Sequence, residues 1–421
     1  MYLLYQILSW AMLPIIVGRL FVRSLKEPNY RKHLLERFGL SNQQATAPVI
    51  WLHAVSVGEM LACQQLIEHI ELRFKEYDVL VTCTTPGGRE TAKTFTSTKM
   101  RISYLPFDIK PFITNFLHRN KPVCLLVMET EIWPTLFKQC SKQAIPIFML
   151  NARLSEKSMR GYLKVRKLTS TTMRSVSGVL SQTEDDAARL KQIGGPEALV
   201  TGNLKFDRKA RPDQLELGRH FKQLFGENRC IVIAASTHEG EENSIIDSFI
   251  SRCPQEYLLI VVPRHARRFS SVMALMQSKK LSVMRRSSNK PVPATCRVVL
   301  GDSMGEMYGY YACSDLVIMG GSFNPSGGQN PLEALSIGKH VVTGPYNFNF
   351  NQIVEKGTSA KVIHLVDNSD AAMLLVNTLL PSLKMSDLQR DAAVQFVKEN
   401  VGALQKTIDY LERVRKTWRQ Y

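Results

Sequence analysis

The chain predicts an α/β protein built from two doubly wound domains, and three observations carry that reading. From Val49 onward, short β-branched runs alternate with segments of helical length, the pattern of a parallel sheet with helices on both faces. A polar stretch from Lys205 to Gln214, with Pro212 inside it, interrupts the alternation and divides the strands into two sets joined near residue 210. Most runs end in Gly, Pro, Ser, Thr or a charged residue, the turn chemistry from which a helix starts. The length of 421 residues fits this, at roughly 150 residues per domain.

Taken in order, the first element is the segment Tyr2 to Val22, almost wholly apolar and broken only by Gln6, Ser9, Gly18 and Arg19. It is long enough to span a ~30 Å hydrocarbon core. No basic stretch precedes it and no small-residue cleavage site follows, so it reads as an anchor rather than a removed signal peptide. Arg19, Arg23, Lys26, Arg31, Lys32 and Arg37, opposed only by Glu27 and Glu36, predict that the bulk of the protein lies on the cytoplasmic side of the membrane. The alternative is a helix packed on the soluble body or lying in the interface plane, with Arg19 snorkelling. After the polar stretch Ser41 to Pro48, the expected strands of the first set are Val49 to His53, Val79 to Cys83, Val123 to Met128, Ile145 to Leu150 and Gly178 to Ser181. Those of the second set are Cys230 to Ala235, Leu258 to Val262, Arg297 to Leu300, Leu316 to Met319 and Val341 to Thr343. The domains are then 1–40 (anchor and basic segment), 41–210, and 211–421 including the C-terminal helices.

Hydrophobic residues at 44% and charged residues at 22% exclude a disordered chain. Lys and Arg total 54 against 37 Asp and Glu, giving +17, so the partners to consider are nucleic acid, anionic lipid and phosphorylated substrates. Nucleic acid is disfavoured, because the charge is spread and no aromatic-plus-basic RNA signature occurs. The eight Cys show no C-x-x-C spacing and lie in or beside apolar runs, as buried reduced thiols do.

Ligands of open α/β sheets bind beyond the carboxyl ends of the strands. In the second half those ends are Ser236-Thr237-His238-Glu239-Gly240, Pro263-Arg264-His265, Gly301 to Glu306, Gly320-Gly321-Ser322 and Gly344-Pro345, which together suit backbone approach to a phosphate plus a neutralising cation. No G-x-x-x-x-G-K-[ST], G-x-G-x-x-G or D-x-D is present, which disfavours Walker ATPases, dinucleotide dehydrogenases and a metal-bound diphosphate. Gly327-Gly328-Gln329-Asn330-Pro331-Leu332-Glu333 leads into an apolar helix, where Glu333 suits a ribose diol or merely the helix dipole. In the first half, Glu59 follows the first strand as a candidate general base. Its competing reading is a capping box with Ser56. Glu129 and Glu131 follow another strand, and Lys205 lies near the domain boundary. A base, a second acid and a cation fit group transfer from an anionic donor.

Together, Val55-Ser56-Val57-Gly58-Glu59, Met128 to Pro134, Asn151-Ala152-Arg153-Leu154-Ser155, Gly202-Asn203-Leu204-Lys205-Phe206-Asp207, Ala235 to Glu242, Val262-Pro263-Arg264-His265, Met304-Gly305-Glu306 and Asn330-Pro331-Leu332-Glu333 resemble the 3-deoxy-D-manno-octulosonic acid (Kdo) transferases of lipopolysaccharide assembly. The similarity runs over nearly the whole chain and rests on the order and spacing of the fragments. Ala54 stands where some members carry a hydroxyl residue, and Gln329 where some carry His. The resemblance implies a GT-B fold, two Rossmann-like domains facing a cleft, and metal-independent transfer of Kdo from CMP-Kdo to a tetra-acylated lipid A precursor, without a resident cofactor. It implies that Glu59 is the base of a single inverting displacement and that Glu129 and Lys205 stabilise the transition state. It also implies that Pro263, Arg264, Met304, Gly305, Glu306, Asn330, Pro331, Leu332 and Glu333 form the CMP pocket, with Arg264 on the phosphate and Glu333 on the ribose. The partners implied are CMP-Kdo, the lipid A precursor and anionic membrane lipid. The alternatives are another nucleotide-sugar enzyme of the same fold, such as a UDP-sugar transferase or epimerase, and a basic non-enzymatic protein that binds nucleic acid.

Overall fold

The structure, a computed structural model, describes residues 1–40, 47–95, 97, 99–207, 212–385 and 387–420. The expected join near residue 210 and most of the polar stretch at 41–48 lie outside these residues. The chain divides into two compact units, Met1–Arg208 with Val401–Tyr421, and Lys209–Asn400.

The first unit is built on seven parallel strands, β1 (Val49–His53), β2 (Asp78–Cys83), β3 (Met100–Tyr104), β4 (Pro122–Met128), β5 (Ile147–Ala152), β6 (Gly178–Ser181) and β7 (Ala198–Val200), in the order β3-β2-β1-β4-β5-β6-β7. Successive side chains of β1 enter opposite layers. Ile50 and Leu52 join the cluster of Cys63, Leu66 and Phe148, while Val49 and Trp51 join that of Phe116, Leu136 and Met149. A strand covered on both faces reads as an unbroken apolar run, which is why β1, β4 and β5 were visible in the sequence. The chain order reverses between β1 and β4, so the loops after these two neighbours define the switch point of the sheet.

Residues 401–421, grouped by sequence with the second domain, belong to the first unit. The helix Ala403–Val414 returns its apolar stripe, Ala403, Ile408 and Leu411, to the first core. The carboxylate of Asp207 accepts from the amides of Gly402 and Leu404, the latter at 2.7 Å, and so caps the returning helix. Tyr410 crosses Gly178 of β6, where any Cβ would stand 2.0 Å from the phenol oxygen. The sequence shows that this helix has an apolar face but not which core it covers.

The helix Tyr2–Lys26 belongs to the first unit and has two faces. Tyr2, Tyr5, Gln6 and Ser9 share its inner side. The Tyr5 hydroxyl donates to Asp108 Oδ2 at 2.8 Å, Gln6 Nε2 donates to Thr135, and Trp10 meets Phe112 with ring centroids 5.6 Å apart. Leu3, Leu4, Ile7, Leu8, Ile15, Phe21 and Val22 are exposed. Among the described residues it is the one helix long and apolar enough to cross a membrane.

The second unit repeats the architecture with β8 (Ile231–Thr237), β9 (Leu258–Pro263), β10 (Val283–Arg285), β11 (Val298–Leu300), β12 (Leu316–Met319), β13 (Val341–Thr343) and β14 (Ile363–Leu365), all parallel, in the order β10-β11-β9-β8-β12-β13-β14. Its switch point lies between β8 and β12. The two-domain α/β fold expected from the sequence is therefore present, each domain being a doubly wound parallel sheet.

Candidate active site

In the first unit, Glu59 follows β1 as the third residue of the helix Val57–Arg73. Ser56 Oγ accepts from the Glu59 amide at 3.2 Å and donates to Oε1 at 2.8 Å, while the Val55 amide donates to Oε2 at 2.8 Å. The Ser56 half of the expected capping box is thus formed, while the carboxylate reaches back to the Val55 amide and the Ser56 hydroxyl rather than to the Ser56 amide, and these bonds fix it just beyond the end of β1. Burial and the charge of Glu129 raise the Glu59 pKa, against the hydrogen bonds from Val55 and Ser56 and the charge of Lys205.

Glu129 leaves β4 in a left-handed conformation, φ +54°, that non-glycine residues seldom adopt. Its amide is tied to Leu150 O at 2.9 Å, and the turned backbone brings Oε1 to 2.8 Å from Lys205 Nζ. Glu131, on the same loop, has its pKa pushed up to about 7 by burial and by the charges of Glu59 and Glu129. The expected preference for Glu129 over Glu131 has a geometric counterpart, since the lysine pairs with the first acid.

Lys205 is positioned by polar side chains of its neighbours. Asn203 Oδ1 accepts from the Lys205 amide at 3.0 Å, Asn151 Oδ1 accepts from the Leu204 amide at 2.9 Å, and Gln182 Nε2 donates to Asn151 O at 3.0 Å. Asn151 itself has φ +52° at the end of β5. In the sequence Asn151 and Asn203 stand inside the motifs without an evident task. Their signal was an Asn directly after an apolar strand or a Gly, where side-chain-to-backbone bonding is favoured. The three residues expected to catalyse, from the ends of β1, β4 and the segment after β7, are therefore brought together.

In the second unit, Pro263 closes β9 and Arg264 is exposed, its amide bonded to Thr237 O at 3.0 Å. Met304 and Gly305 are exposed on the turn after β11, Gly305 with φ +78°, and Glu306 pairs with Arg286 Nη2 at 3.0 Å. Asn330 Oδ1 accepts from the Leu332 amide at 3.1 Å. Pro331 and Leu332 are buried, and Gln329, Asn330 and Glu333 are the half-buried polar residues at this turn. The glycine-rich strand ends depart from expectation after β12, where the Gly321 amide donates to Glu241 Oε2 at 2.8 Å, and after β13. The Gly344 amide, expected to face a phosphate, already donates to Ser322 Oγ at 2.8 Å. His238 stands 3.2 Å from Gln329 Nε2 through its Nε2, and burial with the neighbouring Arg264 lowers the His265 pKa.

Residues 32–208 match the family described as 3-deoxy-D-manno-octulosonic-acid transferase (kdotransferase). The 3-deoxy-D-manno-octulosonic acid transferase of Haemophilus influenzae is 34% identical over 412 residues, 95% of this chain and 96% of that protein. This chain belongs to the Kdo transferase family. The Bordetella pertussis member is 34% identical over 390 residues, 89% of this chain and 90% of its own length. A UDP-GlcNAc 2-epimerase from Neisseria meningitidis, solved with UDP-GlcNAc, superposes with a TM-score of 0.59 at 16% identity, over 87% of this chain and all of that one. At that identity the likeness is one of fold, the GT-B arrangement of paired Rossmann-like domains. As a Kdo transferase the chain is a glycosyltransferase, so the Glu59, Glu129 and Lys205 cluster lies in an enzyme of group transfer.

Proposed function

We propose that the enzyme transfers Kdo from CMP-Kdo to a tetra-acylated lipid A precursor in one inverting displacement. The observation that carries this reading is the cluster of Glu59, Glu129 and Lys205 beyond the carboxyl ends of the first sheet, in a chain of the Kdo transferase family. Glu59 takes the proton of the acceptor hydroxyl as its oxygen bonds to the anomeric carbon, and the bond from that carbon to the CMP phosphate oxygen breaks in the same step. The developing sugar cation and the carboxylate of Kdo make opposite demands, which Glu129 and Lys205 meet as a pair. The leaving group is a nucleotide monophosphate, so protein cations suffice for its charge. No divalent ion or resident cofactor is required, and Arg264 serves the phosphate while Glu333 serves the ribose.

Arg264→Ala is expected to weaken CMP binding roughly tenfold to a hundredfold, as for loss of a hydrogen bond to a charged group. Titration of CMP, with UDP as competitor, checks both the residue and the base specificity. Unchanged CMP binding removes Arg264 from the pocket, and preference for UDP replaces the donor.

The exposed apolar face of the helix Tyr2–Lys26 and the basic residues after it suit attachment to anionic lipid on the cytoplasmic face of the inner membrane, at about 1 kcal/mol per basic side chain near the surface. Deletion of residues 1–22 is expected to move the protein from the membrane to the soluble fraction while it still acts on detergent-dispersed acceptor. Fractionation of the truncated chain checks this, and a truncation that stays with the membrane places the attachment elsewhere. The whole proposal is tested by incubation with CMP-Kdo and tetra-acylated lipid A precursor, with the products read by mass. A mass gain of one or more Kdo units is expected, and no gain overturns it.

A further inference from the structure

Glu241 opens the helix Glu241–Arg252 and is 2% exposed, a depth at which an ionised carboxylate needs partners for both oxygens. All three of its partners are backbone amides. Oε2 accepts from His238 at 2.7 Å and from Gly321 at 2.8 Å, and Oε1 accepts from Phe323 at 2.9 Å. His238 belongs to the loop after β8, and Gly321 and Phe323 to the loop after β12. These are the two neighbours at the switch point of the second sheet.

Other contacts tie the same loops together. A Cβ on Gly320 would stand 2.6 Å from Ser236 O, so the two backbones touch where the carboxylate grips them. The Gly328 amide donates to Gly321 O at 2.7 Å, and the Gln329 amide nitrogen lies 3.2 Å from His238 Nε2. The glycine turn after β12, which in sequence resembles a phosphate cradle, has two of its amides already committed to an internal carboxylate.

We infer that Glu241 is a positioning residue for donor binding, holding the Gly321–Phe323 turn against the His238 loop and through Gly328 and Gln329 setting the segment that ends at Glu333. The inference rests on the assignment of that segment to CMP. A neighbour supplies the control. Glu242, on the same turn of helix and 1% exposed, bonds to Thr237 Oγ1 at 2.8 Å and to Arg268 Nη2 at 3.0 Å, and none of its bonds reaches the glycine turn.

The test compares the full chain with Glu241→Gln and Glu242→Gln by CMP titration, donor kinetics and thermal unfolding. The glutamine at 241 presents one oxygen to three amides and turns an amine toward one of them. Its CMP affinity is expected to fall roughly tenfold to a hundredfold, with the donor KM rising in step and kcat changing far less. Glu242→Gln is expected to lose thermal stability while binding CMP as the wild type does. Equal loss of CMP binding in both variants, or none in Glu241→Gln, overturns the inference. A wild type that does not bind CMP overturns the donor assignment first and this inference with it. If Glu241→Gln does not fold, amide exchange on the wild type decides. Gly321 and Phe323 should be protected without CMP and unchanged by it, whereas protection that arises only with CMP assigns those amides to the nucleotide.

Discussion

Glu59→Gln is expected to give a folded protein that transfers Kdo roughly a hundredfold to ten-thousandfold more slowly, the range lost when a positioned general base is removed. The fold survives because the glutamine carboxamide can keep contacts to Val55 and Ser56 at the start of the helix. Its oxygen accepts from the Val55 amide and its amine donates to Ser56 Oγ, replacing the bonds that the two carboxylate oxygens now make. The helix loses only one favourable charge at its first turn, worth about 0.3–1 kcal/mol. A large loss of rate with little change in melting temperature is therefore the expected signature. Near-wild-type turnover in a folded variant removes Glu59 as the base. The pH profile gives a second reading of the same group. A base acts as its carboxylate, and because burial and Glu129 raise the Glu59 pKa, activity should fall on the acid side at a higher pH than an ordinary glutamate would set. Glu129→Gln takes away one raising charge and leaves the lowering charge of Lys205 unopposed, so the acid limb should move to lower pH. A limb that stays where it was excludes Glu129 as its cause.

The strands that sequence reading found are the central ones, and the reason is burial. β1, β4 and β12 are inside along their whole length, so β4 and β12 are apolar at every position and β1 at every position but its last, His53. The four it missed, β3, β7, β10 and β14, are the edge strands of the two sheets and are partly exposed, Ala198–Val200 and Val283–Arg285 without a single fully buried residue. Three residues of mixed polarity carry no periodicity that separates a strand from a loop. Where a boundary slipped, as when Ile145–Leu150 became Ile147–Ala152, Ile145 looked like strand although Pro146 follows it, and the polar Asn151 looked like loop, because strand pairing, not composition, decides which residues join the ladder.

The candidate site divides along the same line. Which strand ends carry carboxylates was legible, because a local motif announces them. That Glu59 serves both as a helix cap and as a member of an acidic cluster was not, since the two readings compete in sequence and coincide in space. Nor did the sequence show that Glu131 would be driven to about 7, which depends on burial and on two charges from elsewhere in the fold. Resemblance to the Kdo transferases supplied the roles. The structure adds the means, namely the left-handed turn at Glu129 and the asparagines that deliver Lys205.

The second large effect is expected at Lys205. Lys205→Met keeps most of the length of the side chain, one atom short, and removes the charge 2.8 Å from Glu129, leaving that carboxylate, about a quarter exposed, without its cation. Transfer should slow roughly a hundredfold to a thousandfold, as when one preorganised charge partner of a transition state is lost. Stability should fall by roughly 1–3 kcal/mol, the range for a polar group left unsatisfied. Lys205 also lowers the pKa of Glu59, so the acid limb of the remaining activity should rise in pH, opposite to the shift from Glu129→Gln. The double variant separates structure from chemistry. With both charges gone no carboxylate is stranded, so stability should recover most of what Lys205→Met lost, while activity should not recover, since the proposed mechanism still lacks its cation beside the reacting sugar. Recovery of both would mean that the pair only holds the fold. If neither recovers, Lys205 serves a partner other than Glu129. Only recovery of stability without activity fits a lysine that Glu129 holds in place for the reaction.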